Sequence, residues 1–468
     1  MTRDCNAGVL LLCLVAAIGV FIIRPLLLLE FNEIPWEIWD EVLALHSSIW
    51  SEVESLSETF TTHVDYPKNN LSPWITWPTL HRGLHPDDHG SRFLGQPPET
   101  IRGEPIWETV RAQGKSVGVF QSLGAWPAID PGPDGFFVPD VFGADDRCFP
   151  DRLKGFTHFC KHQVQQNEAE SLSGQSLKLL MSALKSSGLT QIFWESLSLK
   201  SGTLESNDLS WSHFKSVFNP QRPPEFSTYF TNSLAGLMHR HWDVLVAPDS
   251  FEDNRIEQNR TVESLEACLS DVLRWREENP ELLVAISSSM GQEQIYPTQE
   301  QNLEMRMINP GLLLEFAEIP SSAYEICSAM IPQVVINVKD KTLSQKIESF
   351  ISGIITSKGR QVFSTDVQGE TLSLTHLFPS QAEIDEGWII FGENPEKVAW
   401  EDAGFEIYPV KSPTAYHIPE GILLLMGGNR KQGRSRSTIQ LEGVKDLLLR
   451  RMSRIPDPGA DGMIPKIQ

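Results

Sequence analysis

The sequence predicts an α/β fold of three layers, with a mostly parallel central sheet and helices on both of its faces. Two observations carry that expectation. Apolar runs of strand length recur between amphipathic stretches of helix length, the pattern of parallel strands covered by helices. The chain, at 468 residues and 40% hydrophobic content, is also long enough to bury the core that such a fold needs.

The strand candidates are Leu26–Phe31, Ser116–Gln121, Leu282–Ser287, Gly311–Phe316, Gln333–Val338, Trp388–Phe391 and Gly421–Met426. The helix candidates are Pro35–His46, Pro105–Gln113, Ser171–Lys185, Phe226–Trp242, Thr261–Glu277, Leu343–Thr356 and Leu441–Met452. Pro105 suits a first helical turn, where its missing N–H costs nothing, and Gly114 suits the position just past the helix end. Stretches rich in Pro and Gly at 122–135 and 218–225 read either as linkers or as loops at the carboxyl ends of strands, where ligand sites of open sheets collect. There is no internal repeat or low-complexity tract. The expected organisation is an apolar segment 1–24, one large domain over 25–454 with insertions at about 122–215 and 340–385, and a tail 455–468 expected to be mobile.

Sixty-one acidic against 39 basic residues give a net charge of −22. Such a field repels polyanions and argues against nucleic acid as a partner. A small anionic or glycan-like substrate stays open, because a local cation can reverse the field inside one cleft. The cysteines at 5, 13, 148, 160, 268 and 327 show neither C-x-x-C nor zinc-ribbon spacing. Free thiols are expected, with a Cys148–Cys160 pair as the alternative, so the redox compartment stays open. Gly8 to Ile23 is an apolar run between Arg3 and Arg24. It is short of the roughly 20 residues a spanning helix needs and also resembles a signal-peptide core. No small-x-small cleavage site follows, and a buried strand begins almost at once. An anchor, an uncleaved signal and a mis-assigned start all fit. Membrane association or export is the expectation, with a cytoplasmic chain as the alternative.

Two segments could carry chemistry. Leu26–Leu29 runs directly into Glu30-Phe31-Asn32-Glu33, placing carboxylates where a buried strand leaves the sheet; the alternative is a solvated loop. Trp74 to Gly90 reads W-I-T-W-P-T-L-H-R-G-L-H-P-D-D-H-G. A Thr followed by x-Pro and then G-x-x-P-x-x-H-G resembles the nucleophile loop of the alkaline phosphatase superfamily, in particular its type I phosphodiesterases and nucleotide pyrophosphatases, and its sulfatases. Pro105–Phe120 is similar to that superfamily's next helix and strand. Tyr416 to Leu423, Y-H-I-P-E-G-I-L, is similar to its closing H-x-x-x-G strand.

The resemblance implies an alkaline-phosphatase-like fold and a hydrolase or transferase acting on a phosphate- or sulfate-type ester. Thr76 would be the nucleophile, with Thr79 a second candidate, activated at a helix N-terminus beside metal ions. His417 maps onto a metal ligand, and His239 onto the histidine of the D-x-x-x-H element. Glu30 stands for the first-strand aspartate. Asn32, His89, Asn232 and Arg240 would line the substrate site. The chain also departs from the pattern. Ser289 and Met290 occupy the Asp and His of S-D-H-G, and Ala235 the Asp of D-x-x-x-H. A thioether and a neutral hydroxyl are poor ligands for hard cations. The expected centre therefore holds fewer than two divalent ions, zinc or manganese, or none. The rival function is a non-catalytic, accessory member binding an anionic or glycan-like ligand.

Overall fold

The computed structural model describes residues 23–166, 174–188, 206–246, 252–295, 303–327, 329–330, 332–377, 379–392, 394–409, 414–427 and 435–453. The central sheet contains β1 (Leu26–Phe31), β2 (Ser57–His63), β3 (Val117–Phe120), β4 (Phe136–Val138), β5 (Phe226–Thr231), β6 (Leu283–Ser287), β7 (Glu420–Met426) and β8 (Ser437–Gln440). Their spatial order is β8-β2-β7-β6-β1-β5-β3-β4. β7 runs antiparallel to β2 and β6; the other pairings in the sheet are parallel. The expected mostly parallel α/β sheet is thus the observed one.

β1 shows why its sequence is continuously apolar. Leu26 and Leu28 enter one hydrophobic layer, while Leu27, Leu29 and Phe31 enter the other. A strand buried on both faces has no solvent side on which to place polar residues. The Leu26 and Leu28 layer is covered by α1 (Pro73–Arg82), α2 (Ile106–Ala112) and, near the C-terminus, Val444–Met452. The opposite layer is covered by helices that include Ser48–Ser55, Lys154–Gln166, Ser206–Lys215, α3 (Ser233–Val246) and α4 (Glu252–Glu278). Helices therefore lie on both faces.

Between β6 and β7 the chain builds a further hydrophobic cluster, from Met305 to Phe405. It contains a four-stranded and a three-stranded sheet and the helix Lys341–Ser352, capped by Asp340. The strands Gln333–Val338 and Trp388–Phe391 form as expected, but in these two sheets rather than in the central one.

Three expectations are corrected. Gly311–Phe316 is helical, as Pro310–Phe316; Pro310 at the first helical position favours that start, and a short apolar run alone cannot separate strand from helix. Phe226–Trp242 is two elements, β5 and then α3, because its first six residues, F-S-T-Y-F-T, are the aromatic and β-branched types that pack well in a sheet. Leu343–Thr356 also divides, the helix ending at Ser352 and Ile354–Thr356 forming a strand.

Among the described residues no helix is long and apolar enough to cross a membrane. Of the apolar run 8–23 only Ile23 is described, and it bridges Ser453. The tail 455–468 lies outside the described residues. Cys148, Cys160, Cys268 and Cys327 are free thiols.

Candidate functional site

Past the end of β1 the chain turns at Asn32 and Glu33. Glu33 has φ +62°, a left-handed conformation that costs a non-glycine residue about 1 kcal/mol. The Ser288 hydroxyl straddles the turn, donating to the Phe31 carbonyl and accepting from the Ile34 amide at 3.0 Å. Ser288 follows β6, the parallel neighbour of β1, so the sheet itself shapes the turn.

Two histidines meet Glu33 there. His239 comes from α3, which leaves the carboxyl end of β5, the other parallel neighbour of β1. His417 comes from the strand Thr414–Ile418, which pairs antiparallel with Gly291–Ile295 and sets His417 directly opposite Gln292. Directly opposed residues project from the same face, so both side chains reach Glu33. Glu33 Oε2 lies 3.0 Å from His239 Nε2 and 3.4 Å from His417 Nε2. The three potential ligand atoms all fall within 4.8 Å of one another.

The far side of each imidazole is fixed. His239 Nδ1 lies 3.0 Å from the Ala415 carbonyl, and His417 Nδ1 lies 2.9 Å from the Leu71 carbonyl. A carbonyl only accepts, so each Nδ1 carries a hydrogen, and a ring without a second proton points an Nε2 lone pair at the carboxylate. Lone pairs facing a carboxylate oxygen repel unless a proton or a cation stands between them. Histidine that donates its other N–H to a carbonyl is also the arrangement found behind metal ligands.

The carboxylate is held equally firmly. Asn32 Nδ2 donates to Glu33 Oε1 at 2.8 Å and to Asn232 Oδ1 at 2.6 Å. Gln292 Nε2 donates to Glu33 Oε2 and to the Ala235 carbonyl. Burial alone would raise the Glu33 pKa, but the charges of His417 and His239 and their hydrogen bonds outweigh it and hold it well below the usual carboxylate range. Burial likewise would lower His239, yet the Glu33 charge and hydrogen bond raise it. The centre is not sealed: Glu33 is buried, whereas the His239 side chain is 35% exposed.

The other sequence candidates are placed as follows. Asn32 and Asn232 belong to this cluster. Arg240 is exposed beside His239, and its charge acts to lower the His239 pKa. Glu30 is still inside β1, on the face of Leu26 and Leu28, and its Oε1 lies 2.7 Å from His81 Nε2 with both side chains buried. Glu33, rather than Glu30, stands with His239 and His417. Thr76 is fully buried in α1, its hydroxyl 2.7 Å from Ser289 Oγ and 3.3 Å from the Ser72 carbonyl. Thr79 donates to the Ile75 carbonyl and meets His89 Nε2 at 3.0 Å. His89 Nδ1 accepts from the Ser91 amide; burial, with Arg82 and Arg92 adding to it, pushes its pKa down to about 3. Met290 is packed in the core. Among the described residues the Glu33, His239 and His417 group is the one cluster able to hold a metal ion.

Sequence reasoning placed Glu33 in a carboxylate-bearing segment but took Glu30 as the ligand, and it gave Gln292 no role. The signal for Glu33 was the end of the strand: a residue beyond the last apolar position, Phe31, has left the sheet, while Glu30 has not. Gly421, the glycine of the H-x-x-x-G pattern, has its reason here too. A Cβ on it would lie 2.4 Å from the Ser288 carbonyl oxygen, so only glycine lets β7 pass this close to the site's supporting loop.

No family model and no curated protein matches the chain. Solved structures similar to it include murine ectonucleotide pyrophosphatase/phosphodiesterase 5, 11% identical over 92% of this chain and 96% of that one, with a TM-score of 0.41. The human counterpart is 11% identical over 93% and 97%, with a TM-score of 0.41. Phosphonoacetate hydrolase from Sinorhizobium meliloti 1021, in complex with phosphonoformate, is 10% identical over 92% and 97%, with a TM-score of 0.43. These are members of the superfamily whose motifs the sequence resembles. At such identities and scores the activity and ligands of the chain rest on its own residues.

Proposed function

We propose that the chain is a hydrolase of small phosphate-type esters, working at a one-cation centre formed by Glu33, His239 and His417. The observation that carries this reading is the convergence of two Nε2 atoms and one carboxylate oxygen within 4.8 Å, each imidazole anchored through Nδ1 to a backbone carbonyl. Two imidazoles and one carboxylate suit zinc or manganese and leave coordination positions open. A divalent cation bound there supplies a positive centre for an anionic ester oxygen and lowers the pKa of a water.

The chain's own residues do the rest. Asn32 and Gln292 hold the two Glu33 oxygens apart and aimed. Asn232 fixes the Asn32 amide. Arg240, exposed beside His239, offers positive charge to an anionic substrate in a chain of net charge −22. Two groups can act as nucleophile, a water molecule or the Thr76 hydroxyl. The burial of Thr76 and its bond to Ser289 favour water. Sulfate-type esters present the same anionic oxygens and belong in the same assay.

A second reading is a cation-dependent binding protein for an anionic or glycan-like ligand, without turnover. One observation favours it: Ser289 is bonded to Thr76 and Met290 is core, so neither contributes to a second cation position. The test is hydrolysis of an aryl phosphodiester, an aryl phosphomonoester and an aryl sulfate, with and without a chelator and in Glu33→Ala. Turnover abolished by both treatments supports the hydrolase. Cation binding without turnover on any of the three selects the binding protein. Turnover indifferent to chelator and to Glu33→Ala overturns the proposed centre.

A further inference from the structure

The buried pair Glu30 and His81 takes no part in the centre, yet only Trp77 and Asn32 lie between His81 and Glu33. Trp77 and His81 stand one turn apart on α1, and their rings stack at 5.7 Å between centroids. Trp107 closes on His81 from the other side at 4.9 Å, and Phe230 meets Trp77 edge-on at 5.9 Å. His81 is in turn held by Glu30 at 2.7 Å. The cavity beside His81 measures about 10 Å³, room for about one water, so His81 has no space to meet a substrate.

Trp77 donates its indole N–H to Asn32 Oδ1 at 2.8 Å. An indole nitrogen is a donor only, whereas an amide offers an acceptor at one end and donors at the other. The indole therefore decides which way the Asn32 amide faces. With Oδ1 turned to Trp77, Nδ2 must face Glu33 Oε1 and Asn232 Oδ1, as it does. Turned the other way, the amide oxygen would oppose the Glu33 carboxylate. We propose that Trp77, braced by the His81–Glu30 pair, is a positioning residue that sets the Asn32 amide and through it the Glu33 carboxylate for cation binding.

The inference rests on the proposed cation centre, and the test separates the two. Zinc and manganese are titrated into chelator-stripped full-length protein: wild type, Trp77→Phe, Asn32→Ala and the double variant. Phenylalanine keeps an aromatic ring against His81 and removes the donor. Losing a group behind a metal ligand typically lowers affinity about 10- to 100-fold. Asn32 is such a group and Trp77 acts one step behind it. Trp77→Phe is therefore expected to weaken binding by up to about tenfold in the native background, no more than Asn32→Ala does, and not at all in Asn32→Ala, since it acts through that amide. A general packing defect would weaken both backgrounds equally, and that outcome overturns the inference, as does a Trp77→Phe variant that binds like wild type. If Trp77→Phe does not fold, His81→Gln replaces it. Glutamine still bonds Glu30 but removes the ring bracing Trp77, and the same dependence on Asn32 is expected. Wild type that binds neither ion overturns the centre itself and the inference with it.

Discussion

Glu33 Oε2 and His239 Nε2 lie 3.0 Å apart, while His239 Nδ1 is committed to the Ala415 carbonyl. That one contact joins the loop after β1 to the helix after β5. It also leaves Nε2 as the one ring nitrogen able to take a proton or a cation, facing a buried carboxylate. A site built this way is organised before any ligand arrives, and its supports are backbone carbonyls and amides that substitution of surface residues will not move.

The left-handed backbone of Glu33 gives a first prediction. Glu33→Ala and Glu33→Gly both remove the carboxylate, so both should lose cation binding. Glycine adopts φ +62° without the Cβ strain that alanine keeps, so Glu33→Gly should be more stable than Glu33→Ala by roughly 1 kcal/mol. Urea denaturation of the two variants checks this, and equal midpoints would show that the turn is unstrained.

How much of this could be read from the sequence differs by element. The four leucines of β1 announced a buried strand, and the H-x-x-x-G pattern pointed to His417. His239 was found from its resemblance to the histidine of a D-x-x-x-H element. Glu30 was chosen over Glu33 because the resemblance put it in the place of the first-strand aspartate, although the strand expected at Leu26–Phe31 leaves Glu30 inside the sheet and Glu33 past its end. The sheet extends through Phe31, which turns Glu30 towards His81 and releases Glu33. Gln292 could not be read because its role depends on a register across from His417, between segments far apart in the chain. The segment 310–316 misled for a different reason: an apolar run that short has no distinguishing period.

Thr76 supplies a second prediction. Its hydroxyl is buried and bonded to Ser289, so Thr76→Ala leaves a buried hydroxyl without its partner and should cost about 1–3 kcal/mol of stability. Cation affinity should not change, and turnover should fall less than about tenfold, a barrier change under roughly 1.4 kcal/mol. A loss of turnover beyond a hundredfold with affinity intact would make Thr76 the nucleophile.

The Glu30–His81 pair supplies a third. His81→Ala strands a buried carboxylate and should cost about 3–5 kcal/mol, whereas replacing both partners by apolar residues of similar size should cost far less. Glu30→Met/His81→Phe should therefore denature at a higher urea concentration than His81→Ala. The reverse order would mean that the pair stabilises the fold beyond what apolar packing can replace.

His89 gives a pH prediction. Its pKa is pushed down to about 3 in the fold, below the ordinary value near 6.5 that the unfolded chain recovers. Between those values the unfolded chain binds the extra proton, so the contribution of His89 to stability is full above about pH 6.5 and is lost as pH falls towards 3. Its ring resonances should show no titration between pH 5 and 8, and His89→Asn should flatten part of the acid-side loss of stability. A His89 titration midpoint near 6.5 would contradict the buried, neutral ring.

The central claim is that Glu33, His239 and His417 hold one divalent cation, and calorimetric titration of chelator-stripped protein with zinc and with manganese tests it most directly. The account predicts saturation at about one ion per chain, since the described residues form one such cluster, and loss of that binding in Glu33→Ala and in His417→Ala with the fold retained. Wild type that takes up neither ion, or a Glu33→Ala variant that binds as tightly as wild type, would contradict it.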